Sequence, residues 1–134
     1  EGRNPVKMGL GRKAFYQIVG EMKKTKTFDY SVKWSSEYNP EWATSARKNK
    51  RKGIKSAVLT RVGDDNKKDI KKWLRVQKNM KKFDNDGVAM SIRDEEIMIS
   101  LIKSNTTLLI SDKPFIKIMK KFFEDSYEKA EAIK

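Results

Sequence analysis

The sequence contains no histidine and no cysteine. Without histidine there is no Ser-His-Asp triad, no Cys-His dyad, no histidine-based phosphodiester chemistry and none of the usual zinc sites. Without cysteine there are no disulfides and no thiolate metal ligands, a composition that fits a cytoplasmic protein. Any catalysis would fall to carboxylates, lysines or tyrosines alone. No apolar run approaches the roughly 18 residues of a membrane span, and no secretory signal is visible. No membrane partner and no cofactor are expected.

What is present is charge. Over 134 residues the net charge is +13, with charged and hydrophobic residues each at 37%. That is polar for a globular chain, yet the apolar residues cluster periodically, which excludes wholesale disorder and gives one domain with a core. The charge is uneven. Residues 1–82 hold 23 Lys and Arg against 8 Asp and Glu, whereas residues 83–134 hold 8 against 10. A basic half fits a polyanion partner such as nucleic acid, and equally a lysine-rich solvated surface.

Residues 1–10, with Gly2, Asn4 and Pro5, read as a linker or tail. From Gly11 to Met22, Ala14, Phe15, Ile18, Val19 and Met22 share one helical face. Thr27–Trp34 alternates as a strand, and Asn39-Pro40 caps a second helix that Gly53 stops. Ile54–Val62 is a strand, a third helix carries Ile70, Trp73 and Leu74 inward, and Lys78–Phe83 is a short strand. Asp84-Asn-Asp-Gly87 turns into two apolar runs, Val88–Ile92 and Ile97–Ile102, followed by Thr107–Ile110. Ser111-Asp-Lys-Pro114 opens a last helix, in which Phe115, Ile118, Met119, Phe122, Phe123 and Tyr127 make one broad apolar stripe expected to be buried. The βαβαβ order predicts an α/β fold: a mixed, mainly parallel sheet with a C-terminal antiparallel hairpin and helices on both faces.

In such sheets ligands bind at the carboxyl ends of the strands. Those ends are Ser35, Ser36 and Glu37 after the first strand, and Thr60 and Arg61 after the second; they are the candidate ligand-binding residues. The same residue types also serve as ordinary caps and turns. A second candidate is nucleic-acid binding by two basic stretches, Arg47, Lys48, Lys50, Arg51 and Lys52, with Lys67, Lys68, Lys71 and Lys72. Trp34, Trp42 and Trp73 read as core residues, not base-stacking platforms. The acidic group Asp84, Asp86, Asp94, Glu95 and Glu96 sits in turns, and its calcium-loop-like start lacks the Glu at the twelfth position, so no metal site is expected.

Gly11-Arg12, Phe15-Tyr16, Ile18 and Met22, then Gly53-Ile54 with Val58-Leu59-Thr60, then Asp84, Val88, Ile92-Arg93-Asp94, Ile97, Ile99-Ser100, Phe122-Phe123-Glu124 and Tyr127-Glu128-Lys129-Ala130 form a pattern. Over residues 11–134 it resembles the C-terminal effector domain of TrmB-type archaeal transcription regulators, itself similar to one half of the phospholipase D fold. Tyr127 stands where that pattern has a Trp. Phospholipase D enzymes need a His-Lys-Asp motif, so the resemblance implies the fold without the hydrolase. It implies a non-catalytic domain that senses a small-molecule effector, or holds a homodimer in register on DNA. The DNA-binding winged helix is then expected outside this chain, which does not begin with Met. The alternative is a stand-alone basic nucleic-acid-binding protein.

Overall fold

Alternating strands and capped amphipathic helices become twelve elements in a computed structural model that describes residues 4–133. In chain order they are β1 (Val6–Leu10), α1 (Gly11–Glu21), β2 (Phe28–Lys33), α2 (Pro40–Arg51), β3 (Lys55–Thr60) and α3 (Lys67–Val76). There follow β4 (Met80–Lys82), β5 (Val88–Arg93), β6 (Ile97–Leu101), β7 (Thr106–Ile110), α4 (Lys113–Lys129) and β8 (Glu131–Ala132). The helix starts follow local chemistry. Asn39 Oδ1 accepts the Glu41 N–H at 2.8 Å ahead of Pro40, and Asp112 Oδ2 accepts the Phe115 N–H at 3.0 Å. Gly53, at φ 79°, closes α2 in the left-handed region that a side chain would resist.

All eight strands form one sheet in the order β1-β7-β6-β5-β2-β3-β4-β8. The βαβαβ stretch gives the parallel pairs β2–β3 and β3–β4. The other five pairings are antiparallel, so the sheet is mixed but mainly antiparallel, not mainly parallel. The reason lies in connection length. Asp94–Glu96 and Ile102–Asn105 join β5 to β6 and β6 to β7 with turns too short for a crossover, so each strand must reverse. Val6–Leu10 also enters the sheet, pairing with β7 from Val6↔Ile110 to Leu10↔Thr106, where the sequence reads as part of a tail.

Helices cover both faces, unevenly. On one face α4 lays Ile116 and Phe123 across Tyr30, Leu59, Ile92 and Ile97, with the Tyr30 and Phe123 rings stacked at 4.7 Å. On the other, α1 packs Ile18 on Met98 and Leu109, while α2 and α3 pack Ala43, Ile70 and Trp73 on Val58 and Met80. β6 is thus buried on both sides, as its nearly continuous apolar sequence predicts. The stripe on α4 is narrower than expected. Phe123 is 1% exposed, but Phe122 is 48% and Ile118 66% exposed. A helix resting on a flat sheet buries one line of residues, and Phe122 lies about 100° round from Phe123.

On the α4 side, the β1 end of the sheet carries no helix among the described residues. The register aligns Val6 with Ile110, and Met8 with Leu108, Ile99 and Met90. Met8 and Leu10 are 66% and 69% exposed.

In urea unfolding, Phe123→Ala is expected to cost about 3–5 kcal/mol and Phe122→Ala under about 1 kcal/mol. Equal losses would contradict the packing of α4.

Candidate functional site

On the face opposite α4, between α1 at one end of the sheet and α2 and α3 at the other, no helix among the described residues covers the β2–β5 seam. The result is a cavity of about 440 Å³ with a sheet floor and helical walls. Strand alternation fixes the floor. Phe28, Tyr30 and Val32 point to the α4 core, so Asp29, Ser31 and Lys33 point the other way, alongside Ala89, Ser91 and Arg93 of β5. Phe15, Tyr16 and Val19 of α1 form one wall, and Trp42, Ala46 and Asn49 of α2 the other. Trp34, Trp42 and Trp73, the only tryptophans in the chain, all line it. Trp73 belongs to the core as expected, whereas Trp42 is 39% exposed.

Of the candidate ligand residues, the cavity brings together Ser35, Ser36 and Glu37. Ser35 and Glu37 are exposed; Ser36 is buried at φ 51°, and its hydroxyl bonds that of Thr60. Thr60 and Arg61 lie outside the cavity lining. Thr60 is fully buried. Arg61 is consumed by structure: Nε donates to Trp34 O at 3.0 Å, both Nη atoms donate to Asp65, and the guanidinium lies 4.1 Å from the Trp34 ring centroid. The carboxyl ends of β2 and β3 are roofed by the chain itself. Phe83 donates its N–H to Thr60 O at 2.9 Å, and Asn85 Nδ2 donates to Lys33 O at 3.1 Å, as residues 83–87 cross from β4 to β5.

The cavity therefore sits on the sheet face, and its floor residues were missed in the sequence. The signal was available: a strand central to a covered sheet whose alternate positions are Asp29, Ser31 and Lys33 has a polar face to account for. Asp29 and Arg93 pair loosely across the seam at 3.7 Å, and Ser91 Oγ donates to Asp29 Oδ1 at 3.3 Å. Lys33 has no ion-pair partner among the described residues; its Nζ lies 4.9 Å from the Trp73 ring centroid. Burial lowers its pKa below the ordinary lysine value, with Asp29 opposing.

The acidic turn residues divide between opposite ends of β5. Asp86 pairs with Lys103 at 2.8 Å at one end. At the other, Asp94 Oδ2 accepts the Lys26 and Thr27 N–H groups at 2.7 and 2.9 Å, and Glu96 Oε2 accepts the Lys23 N–H at 2.8 Å. Burial alone would raise the Asp94 pKa, but the Thr27 hydroxyl and these backbone donors outweigh it and hold the pKa low. Among the described residues no three acidic side chains converge on a metal-sized site.

The basic stretches lie on neighbouring helices of one sheet face. Arg47, Lys48, Lys50, Arg51 and Lys52 are exposed at the end of α2, and Lys67, Lys68, Lys71 and Lys72 are exposed on α3. Of these nine, only Lys67 forms an ion pair among the described residues, with Asp64 at 2.8 Å. No described helix is long and apolar enough to cross a membrane.

No family model and no curated protein matches the sequence. Solved structures do. TrmBL2, an archaeal chromatin protein that shows a novel mode of DNA binding, superposes with a TM-score of 0.71 at 16% identity, over 98% of this chain. The chain spans 55% of TrmBL2. NucT from Helicobacter pylori superposes with a TM-score of 0.67 at 14% identity, over 96% of this chain and 99% of NucT. At these identities the likeness is one of fold.

Lys33→Met is expected to stabilise the fold at neutral pH, because the ammonium is held where its charge is disfavoured. A lysine with a lowered folded pKa destabilises below that pKa, and the penalty fades as pH rises toward the ordinary value of 10.5. The advantage of the variant in thermal midpoint should shrink from pH 7 to pH 10.5. A constant or growing advantage would contradict the burial of this charge.

Proposed function

We infer that this chain is a non-catalytic effector domain of a transcription regulator, and that the cavity over the β2–β5 seam is its ligand site. The observation carrying this reading is the cavity itself: about 440 Å³, walled by separate helices and lined by every tryptophan in the chain. Sites of this size, largely apolar with a few convergent polar groups, suit small molecules. A ligand gripping both walls would couple its binding to the spacing of α1 and α2. The likeness to TrmBL2, a DNA-binding chromatin protein, supports the regulatory setting. The phospholipase D-like assignment belongs to the same reading, supported by the pattern residues Arg93, Asp94, Ile97 and Ser100 falling on β5, β6 and their turn.

Self-association is the second part of this function. β1 is an edge strand. Pro5 O accepts the Ser111 N–H and Gly11 N–H donates to Asn105 O, the residues flanking β7, so in this alternation the main-chain groups of Met8 and Leu10 turn outward. An antiparallel partner centred on Met8 would be another copy of the same strand, and the apolar face beside it would continue across the join.

One observation favours a further reading, nucleic-acid binding by this chain. Eight of the nine cations on α2 and α3 have no ion-pair partner among the described residues and are free for phosphates.

Three outcomes are expected. In a thermal-shift screen of small metabolites, a cognate compound at a hundredfold excess over its Kd stabilises by about 2.7 kcal/mol. Ala89→Trp, which fills the cavity from its floor, should abolish that shift; hits that stabilise both proteins equally would refute the cavity as the site. By analytical ultracentrifugation at moderate salt the chain should dimerise, and Met8→Glu should weaken the dimer by about tenfold or more; a monomer at high concentration, or an unaffected dimer, removes the edge-strand contact. DNA binding should be weak and indifferent to sequence, with a salt slope that flattens by up to about 2–3 units when three of Lys48, Arg51, Lys68 and Lys72 are neutralised. Tight preference for one duplex over scrambled duplexes at physiological salt would move the function to the basic helices.

A further inference from the structure

The charges on the cavity floor do not cancel. Asp29 and Arg93 face each other at 3.7 Å, and Arg93 spends a second donor on Lys23 O at 3.4 Å. The charges of that loose pair offset each other. Lys33, at the other end of the β2 segment on the floor, has no carboxylate within ion-pair distance and no hydrogen-bond acceptor among the described residues; its Nζ lies 4.9 Å from the Trp73 ring centroid, and Asp29 acts on it only from beyond ion-pair distance. The remaining carboxylate of the lining, Glu37, is exposed. The floor thus holds one cation in excess of its carboxylate, partly desolvated and lining the cavity. Around it the walls are flat and aromatic: Trp34, Trp42 and Trp73 on one side, Phe15 and Tyr16 on the other.

We propose that the cavity takes a small organic anion with a planar apolar body, its acid group bonded to Lys33 Nζ and its ring held between the aromatic walls. This rests on the reading of the cavity as a ligand site and names the chemical class. An anion supplies the acceptors that Lys33 lacks, and charge-assisted hydrogen bonds strengthen where water is excluded. A neutral isostere leaves the ammonium unpaired, which is the stronger source of discrimination. Tryptophan and phenylalanine walls provide apolar area at low entropic cost. The net charge of +13 raises the local concentration of anions outside the mouth.

The test is calorimetric titration of the whole chain with 2-naphthoate and with its neutral isostere 2-naphthamide. Naphthoate is expected to bind about tenfold more tightly or better, a preference that one charge-assisted contact supplies. Lys33→Met should erase the preference while leaving naphthamide affinity within about twofold, and Lys33→Arg should retain it. Circular dichroism and thermal melting check that both variants fold. Equal binding of the two compounds to the native chain overturns the anion assignment and leaves the ligand site standing. Binding of neither compound overturns both. A preference that survives Lys33→Met, or that vanishes instead when Lys48, Arg51, Lys68 and Lys72 are neutralised, places the anion on the basic helices and overturns the proposal.

Discussion

The pairing of β2 with β5 holds the structure together, because it is where a parallel half and an antiparallel half of the sheet meet. Two side chains fix that seam at its ends. Asp94 grips the backbone entering β2 through the Lys26 and Thr27 N–H groups, setting Asp29 opposite Arg93. Asn85 bridges the far end, donating to Lys33 O at 3.1 Å and Val88 O at 2.6 Å while its own carbonyl accepts the Gly87 and Val88 N–H groups. A slip of one residue between these clamps would exchange Tyr30, Val32 and Ile92 for Asp29, Ser31 and Ser91 on the α4 face. The register of the seam and the identity of the cavity floor are therefore one constraint.

The same arrangement explains why the cavity is open. Each half of the sheet brings its own helices to this face, α1 with the antiparallel half and α2 and α3 with the parallel half. Neither set reaches the seam. On the opposite face α4 crosses the seam and binds the halves through Ile116 and Phe123. The sheet is thus joined across the seam by one helix on one side and left open between helical walls on the other.

Local signals in the sequence were sufficient for the elements from α1 to α4, though not for the edge strands β1 and β8. Asn39-Pro40, Gly53, Asp112-Lys-Pro114 and the alternation from Phe28 to Val32 act over a few residues, and each produced the boundary it implies. Sheet direction was harder, because the βαβαβ order speaks only for β2, β3 and β4, and the short turns after β5 and β6 decide the rest. The site was hidden for a different reason. Asp29, Arg93 and Lys33 acquire their meaning from the pairing of segments about sixty residues apart, and no local pattern records that Arg93 is matched while Lys33 is not. Ser35, Ser36 and Glu37 reach the rim because they follow β2, whereas Arg61 is drawn off by Asp65 and Trp34, and residues 83–87 close the strand ends. Val6, Met8 and Leu10 do alternate with Lys7 and Gly9, but five residues next to Pro5 carry little weight until β7 is seen beside them.

That last pairing bears on how the chain is made. β1 and β7 come from opposite ends of the sequence, Val6 against Ile110 and Leu10 against Thr106. During synthesis from the N-terminus, the first strand emerges with its apolar alternate residues and waits for nearly the whole domain before its partner exists. At roughly 5–20 residues per second that interval lasts on the order of 5–20 seconds. Through it, Val6, Met8 and Leu10 are available to any other unpaired edge, including that of a neighbouring nascent chain on the same message.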